Sequence, residues 1–350
     1  MATYDWLFDA LGLRGWCDGS SAGGPMTMEE LLARTRGQDA EGSSGAVLPF
    51  PSLDALNAAC GEIPRTREMT AGVEDFFLDI KDGLKLVLDP LTQPLSWLLD
   101  GALWLFTAIP WFAMIPALVG LVWLASRAIG VTAFVAISLL FLAFIDHYEV
   151  AIQTLSIIAV CTGLSVVLGV PIGIAMARSN ALQRSMIPIL DLLQTLPSFV
   201  YLIPLIFLFS VTESKLYGIA IILYAIVPVI RLTDLGIRLV DRDVIEAADA
   251  FGMTSRQKLV EVQIPLAMPN IMAGVNQTIM MSLAMVVIAS LVSAPGLGVL
   301  VLRGIRNLEL GVGLVAGLGI VLLAVILDRS SKAAIARVNK AQSGRQEGAG

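Results

Sequence analysis

Charge is scarce in this chain: only 15% of its 350 residues are Asp, Glu, Lys or Arg, and 56% are hydrophobic. Soluble domains average about 25% charged and about 45–50% apolar, so a water-soluble globular fold is excluded and a membrane protein is implied. Histidine is almost absent, with His147 alone. It sits beside Asp146 and Glu149 at a span end and reads as a solvated interface residue rather than a proton relay. Three cysteines, Cys17, Cys60 and Cys161, are far apart with no CxxC pair, which points away from a metal centre; none is assigned. No GxxxxGK[ST] occurs, so a P-loop for ATP is missing. No basic face suits a nucleic acid. Residues 1–25 lack the basic start and continuous apolar core of a signal peptide, leaving insertion to the spans themselves.

What charge there is lies unevenly. Residues 1–100 hold sixteen acids and seven bases, whereas the remainder holds thirteen and sixteen. Residues 1–70, rich in Gly, Ser, Pro and acids, read as a poorly ordered acidic tail. Over 71–95, Val73, Phe76, Phe77, Ile80, Leu84, Val87 and Leu88 recur at helical spacing opposite Glu74, Asp75, Asp79, Lys81, Asp82 and Lys85. This predicts an amphipathic helix ended by Asp89-Pro90, lying on the membrane or packed on another subunit. Apolar stretches long enough to cross a bilayer succeed it near 102–126, 128–146, 150–177, 186–210, 215–233, 270–293 and 310–328. The fourth carries three prolines and is a candidate for breakage. The expected fold class is therefore an all-α polytopic membrane protein of about seven transmembrane helices, with the membrane domain over 96–330. Arg127, Arg178 with Arg184, Arg231 with Arg238, and Arg329 with Lys332 flank alternate span ends, which should be cytoplasmic. Arg303 and Arg306 run against that rule. The acidic tail then lies outside, and residues 331–350 form a cytoplasmic basic tail.

The longest connection between spans, 241–269, is polar and has a clear local grammar. Asp243 with Glu246 resembles a capping box opening "VIEAADAF". Gly252 stands where a left-handed residue closes the helix. Thr254 with Gln257 forms a second capping box, and Pro265 is expected to stop the helix begun there. Ala247 and Ala248 offer a close-packing surface.

The string "EAADAFG" followed by "VQIPLAMP" resembles the EAA loop of bacterial ABC-importer permeases, although Val262 and Ile264 depart from that family's distal Ile-x-Leu-Pro. A wider likeness, in "PILDLLQTLPSFVYLIP" at 188–204, "QIPLAMPNIMAGVNQTIMMSLAMVVIASLV" at 263–292, "LVLRGI" and "ILDR", is to the ProW-like permeases of glycine betaine/proline betaine importers. It runs from about residue 90 to 330, and the first 70 residues do not share it. The resemblance implies a type I ABC importer transmembrane fold in a bacterial inner membrane, multi-pass. Through Glu246, Ala247, Ala248, Gly252, Thr254, Gln257 and Pro265 the elbow would dock on a separate ATP-binding subunit. ATP and Mg would be bound there, with no cofactor and no catalytic residue in this chain. One EAA loop per chain implies two copies of the permease and two of the ATPase. No receptor domain follows the last span, so a separate extracytoplasmic substrate-binding protein is expected. The substrate class implied is small quaternary ammonium or betaine-like osmolytes, including glycine betaine, proline betaine, choline and trimethylamine N-oxide.

Asp191 and Gln194 in span four and Asn276, Gln277 and Thr278 in span six are polar groups in a costly environment, hence candidates for the translocation pathway or for hydrogen bonds between helices. Met280, Met281 and Met285 read first as packing, with Met281 kept as a pathway candidate. Trp97, Trp104, Trp111 and Trp123 could hold a trimethylammonium group, but an interfacial belt is the plainer reading. Gly169-x-x-x-Gly173 and Gly313-x-x-x-Gly317 allow close helix approach. The competing function is an autonomous proton-coupled carrier or channel; apart from Asp191 the spans offer it little.

Overall fold

The computed structural model describes residues 10–12 and 66–347, with side chains described at 10–12 and 70–337. The acidic tail therefore lies almost wholly outside the described residues, where every regular element is helical. The chain divides after Asp82 into two compact units, and the second, 83–350, holds the apolar helices.

The helices are α1 (Thr66–Ala108), α2 (Trp111–Ser126), α3 (Ile129–Phe144), α4 (Tyr148–Arg178), α5 (Asn180–Thr195), α6 (Leu202–Leu208), α7 (Ser214–Arg238), α8 (Arg242–Ala250), α9 (Ser255–Val292), α10 (Leu297–Arg306) and α11 (Leu310–Glu347). Among them α4, α7, α9 and α11 are each long and apolar enough to cross a membrane. The stretch expected as one span at 102–126 is two helices meeting at 114°, because Pro110 cannot continue α1. The fourth expected span is likewise broken: α5 and α6 meet at 105° across Leu196-Pro197 and a short 3₁₀ turn. The second is only 16 residues long, roughly 24 Å at the α-helical rise. Seven apolar stretches thus become four straight crossings, two bent pairs and one short helix.

Proline also failed to stop two helices. α1 passes through Pro90 and Pro94, because tertiary contacts hold it just beyond them. Leu95 and Leu99 pack on Gly218 of α7, and Asp100 accepts from Ser214 while Ser96 and Ser214 share a 3.0 Å hydrogen bond. Lys215, nearly buried, reaches Asp89 at 2.7 Å and Glu213 at 2.9 Å. α9 passes through Pro265 because residues 258–263 form a π segment immediately before it. The N–H of Ile264 donates to Leu259, five residues back. That wider turn makes room for a ring that in a regular α-helix would press on the carbonyl of Glu261.

The centre of the unit is α7 wedged between α4 and α9, and glycines make the wedge possible. A Cβ on Gly173 would lie 2.6 Å from the carbonyl oxygen of Ile230, and one on Gly169 2.4 Å from Val229. Gly274 of α9 faces the Cα of Val229 in the same way. Close approach substitutes dispersion contacts for a hydrophobic drive that lipid cannot supply. The second spaced pair behaves differently: Gly313 meets Gly304 of α10, whereas Gly317 has no neighbour within 4 Å. A separate cluster joins Ile115 of α2, Leu139 and Leu142 of α3, and Leu323 of α11.

Trp97, Trp104, Trp111 and Trp123 are all exposed, from 41% for Trp123 to 69% for Trp104, and Arg127 lies 4.2 Å over the Trp123 ring. They form no aromatic box; this is the placement of an interfacial belt.

Candidate functional site

The elbow is built from both ends inward. Asp241, not Asp243, caps α8: its side chain accepts from the N–H of Asp243 at 3.0 Å. The expected pairing of Asp243 with Glu246 does not form, because Asp243 is already inside the first turn. Glu246 is exposed and makes no hydrogen bond or ion pair among the described residues. At the other end Gly252 adopts φ +74°. Its N–H donates to Asp249 at 2.9 Å and that of Met253 to Ala248 at 3.1 Å, the paired bonds of a Schellman turn. Thr254 and Gln257 then form a complete capping box, and Lys258 pairs with Asp249 across the turn. Each bend in the elbow is therefore tied by hydrogen bonds.

One face of this elbow is held and another is free. Ala248 is buried within the chain, so of the two alanines only Ala247 presents itself to a partner. Val244 and Phe251, the latter 87% exposed, carry the apolar part of the open face. Leu259, in the π segment, is buried with Ile237 of α7 and Ala267 and Ile271 of α9, with Ile174 and Ala177 of α4 packed alongside. Pro265, half-buried, comes directly after. Force applied to the elbow would thus reach three membrane helices through a packed apolar joint.

A polar joint at the same end was not anticipated from the sequence. Arg238 donates to Asp234 at 2.8 Å, to Asn180 at 2.7 Å and to the carbonyl of Met176 at 2.7 Å, and Gln183 donates to Asp234 at 2.7 Å. It ties α4, α5 and α7 around a carboxylate only 6% exposed. The signal available was the i,i+4 spacing of Asp234 and Arg238; their partners on α5 lie more than fifty positions away.

The pathway candidates do not converge as a set. Asn276 accepts from Ser331 of α11 at 2.6 Å. Gln277 is exposed, Met281 half-buried and Thr278 fully buried with an unpartnered hydroxyl. Consecutive residues on a helix point about 100° apart, so one stretch of α9 serves three surroundings. Asp191 and Gln194 share an exposed face of α5, and Asp191 is ion-paired to Arg231 of α7.

Residues 169–340 match the family described as "Binding-protein-dependent transport system inner membrane component". The chain is 42% identical over 248 residues to the glycine betaine/proline betaine transport system permease protein ProW of Escherichia coli, covering 71% of this chain and 69% of the relative. It is 40% identical over 256 residues to the glycine betaine transport system permease protein OpuAB of Bacillus subtilis, covering 73% and 86%. A trimethylamine N-oxide transport system permease, TmoV of Ruegeria pomeroyi, is 36% identical over 268 residues, covering 74% of this chain and 39% of the relative. Among solved structures, an inward-facing MetNI methionine ABC transporter aligns with a TM-score of 0.50 at 20% identity, over 55% of this chain and 95% of that one, a likeness of fold.

The architecture is that of a multi-pass inner-membrane permease. The chain belongs to the binding-protein-dependent ABC permease family, in its ProW-like branch. It is a membrane subunit of an ATP-driven importer, not an enzyme; ATP hydrolysis falls to a separate ATPase subunit, and substrate delivery to a binding protein.

Proposed function

We propose that this permease imports small methylated osmolytes of the betaine and quaternary ammonium class, and that the α8–Gly252–α9 elbow is the lever by which a separate ATPase drives it. The substrate class is inferred from relatives whose names specify glycine betaine, proline betaine, carnitine and trimethylamine N-oxide; choline belongs to the same chemistry. Two copies of this chain would enclose the pathway, each engaging one ATPase, with ATP and Mg held in the ATPase pair. A separate extracytoplasmic receptor would select the substrate.

The observation that carries the lever is its construction: an exposed helix, capped at both ends, whose root at Leu259 is buried among α4, α7 and α9. Val244, Ala247 and Phe251 would seat in a groove of the ATPase. Glu246 contributes polarity at that contact and not a cap. Closure of the ATPase pair on ATP would move the elbow, and the joint would pass the motion to the three core helices. The pathway would open outward, and hydrolysis would return it.

The test is disulfide crosslinking of Val244→Cys or Ala247→Cys to cysteines lining the cognate ATPase groove, in inside-out membrane vesicles. A crosslink that blocks transport supports the lever. If those positions never crosslink, or are labelled only from the extracytoplasmic side, the lever is lost.

A further inference from the structure

Asp191 and Arg231 hold opposite charges together on a face that the chain leaves open. Asp191 lies eleven residues into α5, roughly 16 Å along the helix, and Arg231 seven residues before the end of α7, roughly 10 Å. Their side chains are 54% and 38% exposed. Ionised groups on apolar helices of this kind avoid lipid, where they are costly, and face water or another protein surface. Arg231 is also incompletely satisfied: one guanidinium nitrogen binds Asp191, while its Nε is buried without a partner. Gln194 continues the polar face one turn along α5. Tyr224 stands seven residues before Arg231, hence on the same side of α7. It faces Tyr201 with ring centroids 6.5 Å apart, and the Tyr201 hydroxyl is unpartnered.

We propose that Asp191 and Arg231 form a station in the translocation route at which a zwitterion carrying a carboxylate and a quaternary ammonium displaces the resident ion pair. This rests on the importer reading. The substrate carboxylate takes the guanidinium, which can bind it through two parallel N–H bonds. The ammonium, with no N–H to donate, is held by the charge of Asp191; the tyrosine pair, roughly 10 Å further along α7, lies beyond its reach. The exchange is charge for charge, so neither Asp191 nor Arg231, whose Nε is already buried without a partner, is left uncompensated. A plain cation would take Asp191 and strand Arg231, a costly outcome for a partly buried charge. The station therefore favours carboxylate-bearing methylated amines over choline-like cations.

The experiment uses the full permease–ATPase complex in inside-out vesicles. Gln194→Cys is introduced with Cys17→Ser and Cys60→Ser; Cys161 is fully buried and stays. The probe is trimethylammonioethyl methanethiosulfonate, a membrane-impermeant reagent bearing the same cationic head. Modification at position 194 is expected to be slowed roughly tenfold by saturating glycine betaine and much less by choline. The control Ile137→Cys, exposed on the apolar helix α3, should stay unmodified. Adding Arg231→Gln should abolish protection by glycine betaine. Absence of modification, protection by neither solute, or equal protection by both would each overturn the proposal. Uptake of labelled glycine betaine by the parent complex is measured alongside. No uptake of any methylated amine defeats the importer reading, whereas uptake without protection defeats the station alone.

Discussion

α7 and α11 are both long apolar helices, yet they live in different solvents. Within their most hydrophobic windows 61% of α7 is buried by the protein, against 22% of α11. The more buried helix is the less hydrophobic one, with mean hydropathy 2.0 against 2.8. In water that order would be perverse. In a bilayer lipid is the apolar phase, so a helix facing it must be greasy all round, while a helix inside the protein can carry Thr233, Asp234 and Arg238 because neighbours satisfy them or approach closely. α7 is the axis on which the apolar joint at Leu259, the polar joint and the Asp191–Arg231 pair all meet. α11 is chiefly wall.

The sharpest way to break this comparison is to place the same substitution on each side of it. Gly173→Val drives a side chain into the backbone of α7 at Ile230 and should cost about 3 kcal/mol or more. Gly317→Val on α11 meets nothing and should stay within about 0.5 kcal/mol. Thermal unfolding of the two variants in detergent checks it, and equal melting temperatures would erase the distinction. Next in size, Leu259→Ala opens a cavity at the root of the elbow and should cost about 2 kcal/mol. ATPase activity should then run ahead of transport in reconstituted complexes. Gly252→Val asks a β-branched residue to hold φ +74° with ample space around it. The cost is about 1–2 kcal/mol of backbone strain, and coupling should fall while insertion and assembly persist. A stoichiometry of ATP to substrate unchanged from the parent would remove the elbow from the mechanism.

The smallest effect lies in the loop between α10 and α11. Glu309 accepts a hydrogen bond from Asn307 and another from Arg303, which hold its carboxyl below the ordinary carboxylate range. The folded chain therefore resists protonation there. The stabilisation is present above the ordinary carboxylate pKa and is lost as pH falls through the lowered value. Because the site is solvent-exposed, Glu309→Gln should shift the melting temperature barely, and only in the neutral range.

Much of the elbow was legible because its signals are local. Gly252 and the Thr254–Gln257 pair act within four residues, and each formed as the spacing implies. The misreadings arose where a neighbouring residue, a local change of helix type or a tertiary contact displaced the expected local outcome. Asp243 lost the cap to Asp241. Pro90 and Pro265 failed to end their helices, the first held by contacts with α7, the second accommodated by a π segment. Ala248 turned inward. The Asp234–Arg238–Gln183 joint and the pairing of Asp191 with Arg231 escaped notice because the contacts that complete them join residues 51 and 40 positions apart.

Residue order by itself determined that this chain lives in a bilayer, that its spans are helices, and that one polar elbow interrupts them. Composition and short-range periodicity suffice for that, since lipid leaves a backbone few alternatives. Which helix became the axis, which alanine turned inward and which charges met were decided only by the tertiary fold. Those outcomes depend on how closely glycine-bearing surfaces can approach, and that distance is a property of pairs of helices rather than of any one of them.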